Sequence, residues 1–372
     1  MYIKRITING FKNLKDIDLV PGKSFNIIFG DNAQGKTNLL EAIWISTGCR
    51  SFRSSKEKDY ISFDGDELDI KIIFEDELRT QEISYRMIRK NMKNKLITLN
   101  GVVQKNSSRL FENFKCIAFL PEDTELIKGT PEKRRSFVDL CYSQLKPKSM
   151  SYIRKYDQLI NQRNAVIKNI IMGKADEEEL DIWDRQLAVA GSYISYMRNH
   201  YVIKLNRYCQ ELYSKIANGK ELLTVSYQSN IFPQDYSYPD APDTTMSELY
   251  YNKLKKGIPD DLRLGYTHTG VGRDDILLKI NDLSVKDYGS QGQRKSTALV
   301  MRLAQAQIYS DEKKESPVIL LDDVMGELDE NRQRFVCGII ADMQVFITTC
   351  NHRAIIHQCD NIFEMHGGKL IN

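Results

Sequence analysis

Eight residues near the N-terminus carry the most specific chemistry in the chain. Gly30 to Thr37 read GDNAQGKT and fit G-x-x-x-x-G-K-[ST], with an apolar strand before and a helix after. Glycines at 30 and 35 permit a tight turn, and the loop's backbone N–H groups can then ring an anion. Lys36 would reach the β and γ phosphates of a bound nucleotide. The Thr37 hydroxyl would ligate Mg²⁺. The expected phosphate-binding set is therefore Gly30, Asp31, Asn32, Ala33, Gln34, Gly35, Lys36, Thr37 and Asn38.

A second constellation supplies the carboxylates. Val318 to Asp323 read VILLDD. Four apolar residues carry Asp322 to the end of a central strand, where it would hold Mg²⁺ through water. Asp323 follows directly. In an extended chain it points to the opposite side, placed to orient or deprotonate an attacking water. Lys36, Asp322 and Asp323 are the expected catalytic residues, with Thr37 and Asp322 on the metal.

A third stretch, Tyr288 to Ser296, reads YGSQGQRKS and opens a helix expected over Gln293–Tyr309. Ser290 and Gly292 at a helix start form a second anion site. Ser290 with Gln293 three residues on also makes a capping box. The two readings do not exclude each other.

These groups need elements to hold them. Before residue 120 the pattern is mostly strands. Ile3–Ile8 alternates, Phe25–Phe29 is apolar, Thr37–Ser46 is helical, and Leu68–Glu75 pairs with Gln81–Ile88 as a hairpin. Asn100-Gly101 marks another hairpin turn, and Cys116–Leu120 a short strand. The middle is helical: Pro131–Tyr142, Ser149–Met172, then a helix to about Ala217. In the second of these, Ile153, Tyr156, Ile160, Ile167 and Ile170 keep a 3-4 spacing that Arg163 interrupts. In the third, Leu180, Trp183, Leu187, Ala190, Ile194, Met197 and Tyr201 form an unbroken a/d stripe. Burying that stripe is worth about 10 kcal/mol at the upper end. Such a helical hairpin can stand out as an arm or pack flat on a body. Asp176 to Glu179 suit the dipole of the long helix's first turn. Residues 230–245 read as a loop, with mixed elements resuming after about 262, including strands at Val318–Leu321 and Val345–Thr349. The simplest arrangement is a head built from 1–120 and 262–372, with 121–261 as helical arm and connecting segment.

The 372 residues are 41% hydrophobic and 28% charged, enough for a sizeable core. No apolar run approaches the roughly 18 residues a membrane span needs. The N-terminus has no signal-peptide stretch, and the seven scattered cysteines contain no CxxC pair, which points to reduced thiols and a cytoplasmic location. The net charge of +3 is too small to argue for nucleic acid. Local clusters say more: Arg86 to Lys95 holds five basic residues and no acid, and Arg50 to Lys58 is also basic. Either run can be a solvated face. As a nucleic-acid face, the pair gives Arg50, Arg53, Arg86, Arg89, Lys90, Lys93 and Lys95 as DNA contacts.

Ser290-x-Gly292-Gln293, a strand ending in Asp322-Asp323, and Glu327-Leu328-Asp329 within GELDENR resemble the signature, Walker B and D-loop of ATP-binding-cassette (ABC) ATPases. Further stretches narrow the likeness. FKNL (Phe11–Leu14), GDNAQGKTNLLEAI, PEDTELIKGTPEKRRSFVD (Pro121–Asp139), LINQRNAVIK (Leu159–Lys168) and RDDI (Arg273–Ile276) resemble the RecF family of bacterial recombination mediators. The likeness runs over residues 1 to about 350.

That resemblance implies an α/β fold: an ABC-type P-loop ATPase head, a mixed sheet with an antiparallel β subdomain, plus an inserted antiparallel helical hairpin. It implies ATP and Mg²⁺ as cofactors and a weak, DNA-stimulated ATPase used as a switch. It implies an ATP-dependent homodimer in which Ser290, Gly292, Gln293 and Asp329 of one chain complete the nucleotide site of the other. Its implied partners are double-stranded DNA and single/double-strand junctions, RecR with RecO, and indirectly RecA, with no membrane. Three departures stand out. Asp323 replaces the glutamate usual in cassette ATPases, which implies slow hydrolysis. QVFITT ends in Thr349 where transporters place a switch histidine, and His352 lies three residues on. GVGRDD lacks the proline and histidine often found before Arg273, and no Q-loop stands out. A transporter subunit would need that histidine and a signature nearer the phosphate loop. A structural SMC-like tether would need a far longer coiled coil.

Overall fold

The computed structural model describes residues 1–53, 55–91, 95–105, 108–350 and 359–371. In chain order the strands are β1 (Tyr2–Asn9), β2 (Ile17–Leu19), β3 (Phe25–Phe29), β4 (Glu67–Glu75), β5 (Thr80–Ile88), β6 (Leu96–Leu99), β7 (Val102–Val103), β8 (Cys116–Phe119), β9 (Leu223–Gln228), β10 (Asp275–Ile280), β11 (Leu283–Ser284), β12 (Val318–Asp322), β13 (Val345–Thr349), β14 (Cys359–His366) and β15 (Lys369–Ile371). The α-helices are α1 (Lys36–Ile45), α2 (Ser108–Asn113), α3 (Glu125–Lys128), α4 (Pro131–Leu145), α5 (Ser149–Ile171), α6 (Asp181–Ile216), α7 (Thr244–Leu264), α8 (Val285–Tyr288), α9 (Gln291–Lys313) and α10 (Glu330–Ile339). They fall into two compact units, Met1–Asp123 with Met301–Asn372, and Thr124–Val300. The second unit runs past the expected insertion end at 261 because β9, β10 and β11 form a sheet of their own there.

The first unit holds two sheets. One is antiparallel, in the order β2-β1-β4-β5-β6-β7. Its long strands alternate buried and exposed residues, as a sheet with one solvated face must. Asn100 and Gly101 both have positive φ between β6 and β7, the conformation a two-residue hairpin demands. The other sheet runs β15-β14-β3-β13-β12-β8 and is parallel except for β15. Its central strands FNIIF, VILLD and VFITT are buried nearly end to end, which explains their continuous apolar runs. The register sets Thr348 beside Asp322 and Thr349 beside Phe29, so three strands end level. Ligand sites of open parallel sheets lie at such carboxyl edges.

In the second unit α5 and α6 pack as the expected hairpin, and α7 packs against both. This third helix adds to the sequence reading, which gave 230–245 as loop and named no element from there to 261. Asp243 caps α7 by accepting the Met246 N–H at 2.8 Å. The helix continues through Gly257 and Pro259, two residues that read as breakers. The α6 stripe is buried at Leu180, Leu187, Ala190, Ile194, Met197 and Tyr201. The α5 stripe differs from expectation. Tyr156, Leu159, Arg163 and Ile167 are its buried residues, while Ile153, Ile160 and Ile170 are only half-buried. Arg163, the apparent interruption, is 0% exposed. Its guanidinium donates to Asp184 of α6 at 2.6 Å, Asp261 of α7 at 2.5 Å and the Thr267 hydroxyl at 2.7 Å. Glu179 accepts the Asp176 N–H at 3.2 Å in the turn before α6, so the acidic run caps that turn.

Two of the family-like stretches meet in this unit. Arg134 forks onto Asp275 at 2.7 and 2.9 Å, and Arg135 donates to the Asp274 carbonyl. Arg198 of α6 forks onto Asp139 and reaches Asp274 as well. Arg134 and Asp139 of the one stretch and Asp274 and Asp275 of the other are therefore tied to one another and to α6, with bidentate pairs at Arg134–Asp275 and Arg198–Asp139 that fix geometry.

Candidate functional site

The loop between β3 and α1 wraps a cleft of about 300 Å³ lined by Asn32, Ala33, Gln34, Gly35, Lys36, Thr37, Asn38, Arg53, Asp322, Asp323 and Thr348. The glycines are needed where they stand. Gly30 has φ +152°, and a Cβ there would sit 2.3 Å from the Met365 carbonyl oxygen. Gly35 has φ +113°, and its Cβ would meet the Asn13 and Leu14 side chains at 2.9 Å. The turn after β14 holds the loop from behind: Gly367 N–H donates to Gln34 Oε1 at 2.6 Å and Gly368 N–H to the Gln34 carbonyl at 2.9 Å. From the front, Asn13 donates to the Ala33 carbonyl and accepts from Asn38. The loop and first turn of α1, Asn32 to Asn38, line the cleft, where the unpaired backbone N–H groups of a helix start can meet an anion.

Lys36 is 7% exposed and donates to the Gly30 and Asp31 carbonyls at 2.6 and 2.8 Å, with the Cys350 sulfur at 3.5 Å. The Thr37 hydroxyl donates to Asp322 Oδ1 at 2.8 Å. Thr348, next to it on β13, donates to the same oxygen at 2.8 Å. Burial pushes the Asp322 carboxyl above its ordinary range, with the Thr348 and Thr37 hydrogen bonds pulling the other way, Asp323 adding to the rise and Arg53 opposing it. Thr37 and Asp322 are hard oxygen donors in contact with each other. That suits Mg²⁺, which takes one or two protein oxygens and fills its octahedron with water and phosphate. Among the described residues no group of three or more His, Cys, Asp or Glu could hold a metal.

Asp323 corrects an expectation. It does not continue an extended strand with its side chain opposed to Asp322. Its φ is +55°, and both carboxylates line the same cleft. The Asp323 N–H is held by the Thr348 hydroxyl at 3.0 Å and the Thr348 carbonyl at 3.2 Å. Thr348 was not singled out in the sequence. Its only signal there is a threonine pair closing an apolar strand.

The third stretch lies in the second unit. Ser290 and Gln293 form the capping box: Gln293 N–H donates to Ser290 Oγ at 3.1 Å, and Ser290 N–H to Gln293 Oε1 at 2.8 Å. Gln293 also donates to Glu221 at 2.9 Å. Ser290 and Gly292 are exposed, and the space above Gly292 is open apart from Ser290 Oγ at 3.9 Å. Asp329 caps α10 by accepting the Arg332 N–H, which holds its carboxyl below the ordinary range.

The basic residues separate. Arg53 lines the cleft and donates to Asn38 Oδ1 at 3.1 Å. Arg86 pairs with Glu67 and Lys95 with Glu57 on the surface, while Arg89 donates to the Gly65 and Ser62 carbonyls. Arg50 and Lys90 are exposed. Lys93 and His352 lie outside the described residues. Among those residues no helix is long and apolar enough to cross a membrane.

A parallel sheet with a phosphate-type loop after one strand, an aspartate at the end of another and an antiparallel sheet in the same unit defines the class as an ABC-type P-loop ATPase head. Residues 2–369 match the family model for the RecF/RecN/SMC N-terminal domain. DNA replication and repair protein RecF of Lachnospira eligens is 34% identical over 380 residues, covering 100% of this chain and 99% of its own. Its counterpart in Clostridioides difficile is 32% identical, covering 100% and 98%. The structure of the recombination mediator protein RecF with ATP superposes with a TM-score of 0.91 at 32% identity, covering 100% of this chain and 97% of that one. The chain belongs to the RecF family. An SMC head domain from Pyrococcus furiosus shares the fold, with a TM-score of 0.56 at 16% identity.

Proposed function

We propose that this protein is an ATP-operated switch of recombinational repair. ATP with Mg²⁺ would occupy the cleft of residues 30–38, with Lys36 on the β and γ phosphates and Thr37 and Asp322 as the protein's metal ligands. Mg²⁺ would supply charge neutralisation at the phosphates. Asp323 would hold the attacking water and take its proton. The observation that carries this reading is the meeting of Lys36, Thr37, Asp322 and Asp323 in one cleft. The functional head in this reading is 1–120 with 262–372, since the Ser290 stretch must act with it, and 121–261 is the arm.

A second chain would complete the site with Ser290, Gly292, Gln293 and Asp329, coupling nucleotide to dimer. The open, exposed helix start at Ser290 and Gly292 supports that reading. The dimer would clamp double-stranded DNA near single/double-strand junctions, using Arg50, Arg53, Arg86, Arg89, Lys90, Lys93 and Lys95. Slow, DNA-stimulated hydrolysis would release it, and with RecR and RecO the cycle would promote RecA loading in the cytoplasm. The relatives named for DNA replication and repair and the ATP-bound mediator structure support this assignment.

The deciding experiment is duplex gel shift with and without ATP, beside ATP binding by titration. Wild type should bind ATP and shift duplex only with ATP, and Lys36→Ala should do neither. ATP binding that survives Lys36→Ala unchanged would sink the site assignment.

A further inference from the structure

The helix that follows the phosphate-type loop carries a carboxylate where none is needed for packing. Glu41 on α1 is 0% exposed. Its Oε2 accepts from Lys12 Nζ at 2.5 Å and its Oε1 from Ser51 Oγ at 2.6 Å. A buried ion pair is poor evidence of a stability device, because apolar side chains of similar volume often serve as well. What such a pair can do is fix the positions of the groups it binds. Both of Glu41's partners lead to the cleft.

On one side, Lys12 has a left-handed backbone, φ +51°, held by its N–H to the Tyr60 carbonyl at 2.7 Å. Asn13 follows it and holds both the Ala33 carbonyl and Asn38. On the other side, the Ser51 hydroxyl gives its one proton to Glu41. Its two lone pairs accept the Arg53 N–H at 3.0 Å and the Ser55 N–H at 3.3 Å, so its hydrogen-bonding capacity is filled. Arg53 then donates to Asn38 Oδ1. The chain of contacts closes on itself: Glu41, Lys12, Asn13, Asn38, Arg53, Ser51 and back to Glu41. Arg53 is exposed, and an exposed arginine keeps much rotamer freedom unless its backbone and head are both tied. Here Ser51 ties the backbone and Asn38 the head.

We infer that Glu41 is a positioning residue of the nucleotide cleft, acting through Ser51 to set Arg53 against the bound phosphates. This rests on the reading of residues 30–38 as an ATP site. Arg53 would then belong to the nucleotide and not to the DNA face. Ser51, Arg53 and Ser55 would be held by the same buried carboxylate that sits on the helix after Lys36.

The test is a double-mutant cycle on the full chain, with ATP as the probe in calorimetric titration and melting temperature recorded for each variant. Ser51→Ala should weaken ATP binding about 3- to 10-fold, the range of one lost hydrogen bond. Arg53→Gln should weaken it at least as much. Placed on Arg53→Gln, Ser51→Ala should add less than about twofold, because its effect passes through the guanidinium. An equal loss in both backgrounds, or no loss in either, overturns the inference. If Ser51→Ala melts below the assay temperature, Ser51→Cys carries the same cycle, since a thiol of nearly the same size is a much weaker donor to Glu41 and acceptor for the Arg53 N–H. Wild type that fails to bind ATP would overturn the site assignment itself. Wild type that binds, with Lys36→Ala abolishing binding and Ser51→Ala additive, overturns only the role of Glu41.

Discussion

Asp322 has a carboxyl that burial has made harder to ionise, with two threonine hydroxyls on one of its oxygens. Its acidity is lower in the folded chain than in the unfolded one. Such a group favours folding while protonated in both states, and that contribution is lost as pH rises through its range. Ionised Asp322 therefore destabilises the nucleotide-free protein at neutral pH. Replacing it by Asn should raise Tm by about 2 °C at pH 7, a stability change on the order of 1 kcal/mol. The gain should shrink at pH 4, as the wild-type carboxyl takes up its proton. Calorimetric scans without Mg²⁺ at both pH values check this, and a variant that melts lower than wild type at pH 7 would contradict it. The same variant should lose Mg²⁺-dependent ATPase.

Much at this scale was readable from spacing alone. The phosphate-type loop needs its residues contiguous, so a single stretch exposes it. The aspartates could be placed because an apolar run fixes where a buried parallel strand ends. The turn at Asp323 was not readable, since only Asn, Asp and Gly enter the left-handed region with ease and an isolated aspartate does not announce it. Nor was Arg53. In the sequence it belongs to a basic run, and its place in the cleft shows only in the hydrogen bonds it donates to Ser51 and Asn38.

Among the elements, α5, α6 and α7 share a polar centre. Arg163 faces two carboxylates, and burial pushes the Asp184 carboxyl upward. Asp261 also accepts the His268 N–H at 2.9 Å. Removing the cation strands both acids in the interior. Arg163→Leu should cost about 3–5 kcal/mol at pH 7, the range for breaking a buried pair. The sign with pH follows from the raised acid: the deficit should shrink as pH falls and the stranded carboxyls protonate. Urea unfolding at pH 7 and pH 4.5 measures it. A deficit that grows on acidification would show that the carboxylates are not the source. Strands and helices with one strong period were legible here, down to residues such as Phe25–Phe29 and Ser149. α7 was hidden because Gly257 and Pro259 imitate a linker, while packing against α6 and the Asp243 cap keep it helical.

At the scale of the whole molecule the proposed two-chain site makes the open helix start at Ser290 the place where copies of the chain would meet. A guanidinium introduced there would fill the space beside Gly292. Ser290→Arg should bind ATP within about twofold of wild type and remain monomeric with ATP in sedimentation velocity, a loss of coupling of about 1–3 kcal/mol or more. Dimerisation equal to wild type would refute the two-chain site. The duplex face makes a separate prediction. Arg89→Glu with Lys90→Glu should weaken ATP-dependent duplex binding at least tenfold at 100 mM salt. It should also flatten the salt dependence by about two phosphate contacts, while basal ATPase stays unchanged. Unaltered binding would remove that patch.

The left-handed peptide at Asp323 also bears on how this lineage could change its speed. A glutamate there would bring the longer carboxylate usual in cassette ATPases, yet glutamate tolerates a positive φ less well than aspartate does. One substitution would bring strain before it brought rate. The peptide would first have to relax, and the Thr348 contacts that hold its N–H would have to let go. Two positions must therefore change together, and the slow hydrolysis proposed for this chain would then be a property of a backbone turn, hard for selection to reset one residue at a time.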